Sequence, residues 1–170
     1  SDLEYPVYEI NQVRGVNTQG VLDSISTACE LRGIVHGWND YPTGLQFTLI
    51  DPTNGINVFS PVSNFGYSVQ EGDSVRVRGV IDQYLGLAQI RIDTLIFEGS
   101  GFPSDTPQLV FEMDEETESR IVKLKCTELV DLSDWTNTTP GFNVRLAFGQ
   151  QEIIMRIDAN TDLFGAPAPV

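Results

Sequence analysis

The chain has 170 residues and a net charge of −14 at pH 7, from 24 Asp and Glu against 10 Lys and Arg. Residues 1–98 and residues 99–170 share this excess equally, with 12 acidic and 5 basic side chains each. Because nucleic-acid affinity depends on neutralising phosphates with Lys and Arg, this charge disfavours nucleic acids and anionic membranes as partners. The chain lacks an apolar run of about eighteen residues, so no membrane span is expected.

Strand-like segments dominate the first hundred residues. Residues 1–25 predict an N-terminal extension with one short helix at Tyr8–Arg14, where Ile10 and Val13 share a face. β-branched alternation and turn residues then recur about every 8–12 positions, which predicts an all-β domain over residues 26–98. Its five strands are expected at Cys29–Val35, Gly44–Ile50, Gly55–Ser60, Ser74–Tyr84 and Leu87–Phe97.

An internal repeat predicts a second unit over residues 112–170, after a Gly/Ser/Pro-rich linker at residues 99–111. The acidic run Glu112–Glu118 is expected to cap a short helical turn that enters this unit. The matching segments are Cys29–Arg32 with Val122–Lys125, Gly44–Leu49 with Gly141–Leu146, Ile56–Val58 with Ile153–Met155, and Phe65–Gly66 with Phe164–Gly165.

The second unit is expected to lack strands four and five, because only Ala-Pro-Ala-Pro-Val follows Gly165. An open three-stranded unit exposes sheet edges and half a core. It must therefore dock on the first unit, pair with another chain, or belong to a truncated piece of a longer protein, and truncation is the favoured interpretation.

The cysteines and the single histidine do not indicate catalysis. Cys29 and Cys126 are too few for a disulfide scaffold, which leaves free core thiols or one long-range bridge. Cys29 shares the inward face of its strand with Leu31, so a buried thiol is expected, and Cys126 in the corresponding strand is interpreted in the same way. A dyad of Cys29 and His36 is the alternative, but a buried thiol argues against it, so the chain is not expected to be an enzyme.

Two stretches carry a family resemblance. Glu71–Ile81 and Tyr84–Ile90 resemble strands four and five of nucleic-acid-type OB folds. Over about residues 5–170, the chain resembles the tandem OB-like modules of secreted, multidomain proteins of the Bacteroidetes type, on Gly44–Asp51, Asn64–Tyr67 and Arg156–Gly165. The resemblance implies an all-β fold, with a five-stranded OB-like barrel followed by a second, incomplete OB-like unit. It also implies a secreted or cell-surface setting beside neighbouring domains of a longer protein.

OB proteins bind ligands along strands two and three and on the loops between strands one and two and strands four and five. The predicted ligand face, where outward side chains and loop aromatics meet, comprises Trp38, Tyr41, Gln46, Phe59 and Tyr84, with Arg76, Arg78 and Arg91 nearby. The alternative is that these aromatics close the barrel ends or pack against the second unit.

Asp158, Asn160 and Asp162 are a weak candidate metal site, because their D-x-N-x-D spacing points oxygens towards one centre. The loop has Leu163 where an EF-hand needs Gly, and it lacks the final Glu of that motif. Short Asx side chains in a turn explain the pattern more simply. No metal or other cofactor is therefore expected.

These observations favour a non-catalytic, extracellular interaction or spacer module that positions neighbouring domains and binds polysaccharide or protein. The alternative is a nucleic-acid-binding accessory domain of a secreted nuclease, which would need a continuous positive strip along Arg76, Arg78 and Arg91. A third hypothesis is self-association through the open sheet edge.

Overall fold

The computed structural model describes residues 5–169 and divides them into two compact units. The first unit runs to Pro107 and also takes in Glu115–Ile121, whereas the second comprises Gln108–Asp114 and the chain from Val122 onward. The predicted N-terminal helix is present as α1, Ile10–Val13. Among the described residues, no helix has the length and apolar character needed to cross a bilayer.

The first unit is a ring of five strands in the order β1-β2-β3-β5-β4. These strands are β1 Ala28–His36, β2 Leu45–Ile50, β3 Gly55–Ser60, β4 Ser74–Tyr84 and β5 Leu87–Gly99. Strand β1 pairs antiparallel with β2 and with β4, and a short parallel pair between β3 and β5 closes the ring. A five-stranded ring with this strand order is the OB-like arrangement that the sequence predicted, so the predicted fold class is confirmed.

Alternation of apolar and polar residues explains why each strand faces as it does. In β4, Val75, Val77 and Ile81 are buried, while the intervening arginines point outward. Gly79 lies where the register of β4 shifts against β5, and a Cβ there would come within 2.1 Å of the Arg91 carbonyl oxygen. Only glycine allows this close approach of the two backbones.

The N-terminal extension closes one side of the barrel core. Ile10 and Val13 are buried in the same hydrophobic cluster as the strand residues. Before the helix, the chain runs beside β1, where the Tyr8 N–H donates to the Glu30 carbonyl at 3.1 Å and the Glu30 N–H donates to the Pro6 carbonyl at 2.9 Å. The extension is therefore an integral part of the first unit.

The acidic run does not enter the second unit as one piece, because Glu115–Ile121 packs with the first unit. Arg14, whose side chain is buried, donates to the Glu118 carboxylate at 2.6 Å and to the Glu118 carbonyl oxygen at 3.0 Å. Gly55 lies under the same segment, since a Cβ there would come within 1.9 Å of the Ser119 carbonyl oxygen. A buried cation thus draws this acidic segment onto the barrel.

The second unit is built from short strands around a small core. Its strands are β6 Gln108–Leu109, β7 Val122–Lys123, β8 Thr127–Leu129, β9 Gly141–Phe148 and β10 Gln151–Asp158. Strands β8, β9 and β10 form an antiparallel sheet, while β6 and β7 form a parallel pair. The predicted linker at residues 99–111 therefore includes a strand of this unit. The buried core residues are Phe142, Val144, Leu146 and Ile157.

The expectation of a buried thiol at Cys126 is wrong. The predicted strand at Val122–Lys125 is short, because Cys126 has a φ of +57° and separates β7 from β8. This left-handed residue breaks the pleat, and the Cys126 side chain is exposed. Both cysteines are free, so the bridged alternative is also excluded. Cys29 is buried as predicted, and burial raises the pKa of its thiol to about 11.

Candidate ligand-binding face

Outward side chains from four strands lie in register across one side of the barrel. The first row, as we name it, runs across β2, β3, β5 and β4 and consists of Gln46, Phe59, Arg91 and Val80. The second row lies one pleat further along the strands and consists of Thr48, Asn57, Gln89 and Asp82. Since side chains two residues apart share a face, both rows point away from the core.

The loop between β1 and β2 fixes an aromatic ring on the first row. Within this loop, Asn39 donates to the Gly44 carbonyl at 3.0 Å and accepts from the N–H groups of Tyr41 and Gln46. The Tyr41 ring then meets the Phe59 ring edge to face, with centroids 5.4 Å apart and an angle of 74°. Tyr41 and Phe59 together form what we call the aromatic platform.

A cleft of about 470 Å³ adjoins the first row, and its walls include Val62, Val80, Asp82 and Arg91. The Asp82 carboxylate is oriented by a chain of side-chain hydrogen bonds along the second row. Asn57 Nδ2 donates to Gln89 Oε1 at 3.3 Å, and Gln89 Nε2 donates to Asp82 Oδ2 at 3.2 Å. Asn57 and Gln89 are buried, so they position Asp82 and leave the ligand contacts to the exposed residues.

The three predicted arginines do not form a continuous positive strip. Arg78 Nε donates to the Glu30 carboxylate at 2.8 Å, and Arg76 Nε contacts the Glu98 carboxylate at 2.6 Å. Arg91 lies in the first row and has no ion pair among residues 5–169. The charge pattern that would favour a nucleic-acid-binding accessory domain is therefore not present on this face.

Glu30 organises the other arginines into a separate cluster on β1 and β4. Its buried carboxylate accepts from Arg32 at 2.9 and 3.0 Å and from Arg78, with Arg76 at 3.7 Å. Burial alone would raise the pKa of Glu30, but the hydrogen bonds from Arg78 and Arg32 outweigh it and hold the pKa below its ordinary value. These arginines are structural partners of one carboxylate.

The remaining predicted aromatics, Trp38 and Tyr84, are both exposed. Tyr84 is 64% exposed and ends β4, four residues beyond Val80, which corresponds to about 13 Å along a strand. Trp38 lies in the same loop as Tyr41 and is also exposed. The structure thus brings Tyr41, Gln46, Phe59 and Arg91 together.

Sequence reasoning missed Asp82 and Val62. Asp82 could have been found from the alternation of β4, which places it outward between Val80 and Tyr84. Val62 had no such signal, because it lies in the turn after β3 and is 87% exposed.

In the candidate metal loop, the Asp158 carboxylate forms an ion pair. Arg156 Nε donates to Asp158 Oδ1 at 2.9 Å, and the Asp158 carbonyl accepts from the N–H and hydroxyl of Thr161. Asn160 lies in the turn that these bonds close, whereas Asp162 lies in the next turn, where the Phe164 N–H donates to the Thr161 carbonyl at 3.1 Å. Within residues 5–169, no group of three or more His, Cys, Asp or Glu side chains is arranged to hold a metal ion.

His36 lies beside a second cavity of the first unit, of about 570 Å³, together with Arg32, Asp51 and Asp105. It ends β1 and is buried, and burial lowers its pKa below the ordinary value of 6.5, although Glu71 and Asp105 oppose the shift. The folded state therefore holds His36 neutral at a pH where the unfolded chain protonates it.

This difference predicts a loss of stability on mild acidification. Because the folded pKa of His36 lies below the unfolded one, its contribution is present above the unfolded pKa and is lost as pH falls through the folded value. We expect His36→Gln to lose less free energy of unfolding than the wild type between pH 7 and pH 5, measured by urea unfolding. Equal losses in the two proteins would contradict the expectation.

No protein-family model matches the chain, and no curated protein does. Among solved structures, the hypothetical protein ygiW from E. coli is 17% identical with a TM-score of 0.42, over 54% of this chain and 89% of that one. A protein assigned as an aspartyl-tRNA synthetase from Leishmania major Friedlin is 8% identical with a TM-score of 0.45, over 60% of this chain and only 22% of that one. Because both scores are low, the OB-like assignment rests on the strand order of the barrel.

Proposed function

We propose that the chain is a non-catalytic, exported binding module whose first unit binds a glycan across the first row. The observation that carries the proposal is the aromatic platform in register with Arg91, beside a cleft that holds the Asp82 carboxylate. This is the part of an OB barrel that binds oligonucleotides and oligosaccharides in other proteins of the fold.

The chemistry of the face suits a sugar. Aromatic rings offer a flat apolar surface, on which the C–H face of a sugar ring can lie. Gln46 and Arg91, on either side of Phe59, supply amide and guanidinium groups, and Asp82 in the adjoining cleft supplies a carboxylate. These planar groups can hydrogen-bond hydroxyls in defined directions. Val62 and Val80 add apolar contact area at the cleft.

Charge argues against a nucleic acid on the same face. The chain carries a net −14, and on the first row one guanidinium alone would meet a phosphate backbone. Nonspecific nucleic-acid binding needs several Lys or Arg contacts, because it depends on counterion release. A largely uncharged glycan meets no such repulsion.

The exported setting and the role of spacer beside neighbouring domains are part of the same proposal. They rest on the resemblance of Gly44–Asp51, Asn64–Tyr67 and Arg156–Gly165 to modules of secreted, multidomain proteins. A glycan-binding barrel in such a protein would hold its neighbours at a polysaccharide surface.

The proposal predicts binding in a screen of immobilised polysaccharides and an oligosaccharide array, and a loss of that binding in Phe59→Ala. We expect the affinity to fall at least about tenfold, equivalent to about 1.4 kcal/mol, because the stacking surface is removed. Titration calorimetry with the best oligosaccharide measures the difference.

Phe111→Ala is the matched control, since Phe111 is 80% exposed in the second unit and the change removes the same ring. Its affinity should equal that of the wild type. The proposal fails if no glycan binds, if both variants lose affinity equally, or if single-stranded oligonucleotides bind more tightly than any glycan at physiological salt.

A further inference from the structure

We propose that the second unit binds a β-hairpin with alternating apolar side chains, in the position that β4 and β5 occupy in the first unit. Two observations support this proposal. The hairpins β2–β3 and β9–β10 pair in the same register, but the inward side chains of β10 are less buried than those of β3. The occupant is a polypeptide hairpin, and the inference is independent of the glycan-binding face.

The two hairpins have the same register. In the first unit, Leu45 faces Ser60, Phe47 faces Val58 and Leu49 faces Ile56. The repeat places these residues over three pairs of the second unit, and β9 and β10 make the same pairs: Phe142 with Ile157, Val144 with Met155, and Leu146 with Ile153. The inward faces of the two hairpins are therefore equivalent, residue by residue.

The likeness extends to the chain that precedes each unit. In the first unit, the Tyr8 N–H donates to the Glu30 carbonyl beside β1, and Val7 bridges Glu30 in parallel. In the second unit, β6 runs parallel to β7, and the Val110 N–H donates to the Lys123 carbonyl at 3.2 Å. Strands β7 and β8 together thus occupy the place of β1.

The inward side chains of β10 are less covered than their counterparts in β3. Ile56 and Val58 are fully buried, whereas Ile153 and Met155 are only half-buried. They line an apolar groove of about 680 Å³ together with Leu124, Leu129 and Leu146. In the first unit, Val77, Ile81 and Ile90 of β4 and β5 belong to the same buried cluster as Ile56 and Val58. The second unit has no corresponding side chains over its groove among residues 5–169.

The strand edges beside the groove also lack a partner within the described residues. In the first unit, β4 pairs with β1 over Ala28–Ile34, and β5 pairs with β3 over Asn57–Phe59. In the second unit, the sheet order β10-β9-β8 leaves the outer edges of β8 and β10 without a strand between residues 5 and 169. Unpaired N–H and C=O groups along an edge recruit another strand.

Two free edges that flank one apolar groove define a hairpin as the occupant. A lipid or a helix can cover apolar side chains, but neither supplies the row of backbone donors and acceptors that a sheet edge needs. A single added strand satisfies one edge only. Two antiparallel strands with inward apolar side chains satisfy both edges and fill the groove.

The test uses the full chain and a synthetic hairpin with the sequence of Ser74–Gly99, which is the one the first barrel uses. A control peptide carries Val77→Ser, Ile81→Ser and Ile90→Ser, which remove its inward apolar side chains. Hydrogen–deuterium exchange locates the peptide, and sedimentation reports the mass of the complex. We expect one peptide per chain and an at least tenfold slower exchange in Thr127–Leu129 and Gln151–Asp158 with the hairpin, but not with the control.

Chain variants provide a second readout. Met155→Ser should weaken hairpin binding at least tenfold, whereas Leu132→Ser should not, because Leu132 is exposed and lies outside the groove. The inference is overturned if the control peptide protects these strands equally or if protection is confined to the first unit. It is also overturned if the chain alone forms a dimer that already protects both edges, because the occupant is then a second copy.

Discussion

Replacing Glu30 with alanine is expected to lower the free energy of unfolding by about 3 kcal/mol, because it removes the one buried carboxylate to which both Arg32 and Arg78 donate. The Glu30 side chain is 3% exposed, and Arg32 and Arg78 donate to it at 2.8–3.0 Å. Without the carboxylate, the guanidinium groups of Arg32 and Arg78 lose their shared partner and repel each other. Urea unfolding of the wild type and Glu30→Ala measures the difference.

The control for Glu30 is Arg32→Gln, because the Arg32 side chain is 53% exposed. A solvent-exposed partner contributes little, so the expected loss is below about 1 kcal/mol. Equal losses in Glu30→Ala and Arg32→Gln would contradict the central role of the carboxylate.

The effect of Glu30 should also depend on pH. Its folded pKa lies below the ordinary value of 4.5, so its contribution is present above that value and is lost as pH falls through the folded pKa. The difference between wild type and Glu30→Ala should therefore be larger at pH 7 than at pH 3.

Replacing Arg14 with methionine is expected to release Glu115–Ile121 from the barrel. The Arg14 side chain is 4% exposed and donates to Asn54 Oδ1, to the Glu115 and Glu118 carbonyls and to the Glu118 carboxylate. Methionine keeps much of the apolar volume but offers none of these hydrogen bonds. We expect the barrel to lose about 2 kcal/mol, less than for a fully buried pair, because Glu118 retains partial contact with water.

Trypsin digestion measures this release directly, because Arg120 lies within Glu115–Ile121. Cleavage after Arg120 should become at least about tenfold faster in Arg14→Met, because local opening controls proteolysis. Cleavage after Arg76 in β4 and after Arg156 in β10 should stay at the wild-type rate. Faster cleavage at all three sites would show global unfolding and contradict a local release.

The strands of the first unit could be predicted from the sequence because their pattern is local. Alternation and turn residues located β2, β3 and β4 to within one residue of their ends. The outward position of Phe59 and Gln46 followed from the same alternation. Tyr41 was placed in the correct loop, but its contact with Phe59 depends on Asn39, which carries no periodic signal.

The ion pairs could not be predicted, because their partners are distant in the chain. Glu30 and Arg78 are 48 residues apart, and Arg14 and Glu118 are 104 apart. Nothing in the local pattern marks either pair. The sequence therefore predicts Arg76 and Arg78 near the ligand face and does not show that Glu98 and Glu30 bind them. The prediction of a buried thiol at Cys126 was wrong for a related reason. A single residue with a left-handed backbone conformation interrupts the strand, so the alternation no longer assigns its side chain to the inward face.

Backbone NMR of the isotope-labelled chain, titrated with the oligosaccharide that binds best, tests the central claim most directly. If the first row is the glycan-binding face, the amide signals that shift most will belong to Gln46, Phe59 and Arg91 and to the neighbouring Tyr41 and Asp82. Shifts centred on Glu30 or in the second unit, with those five signals unmoved at saturation, would contradict the claim.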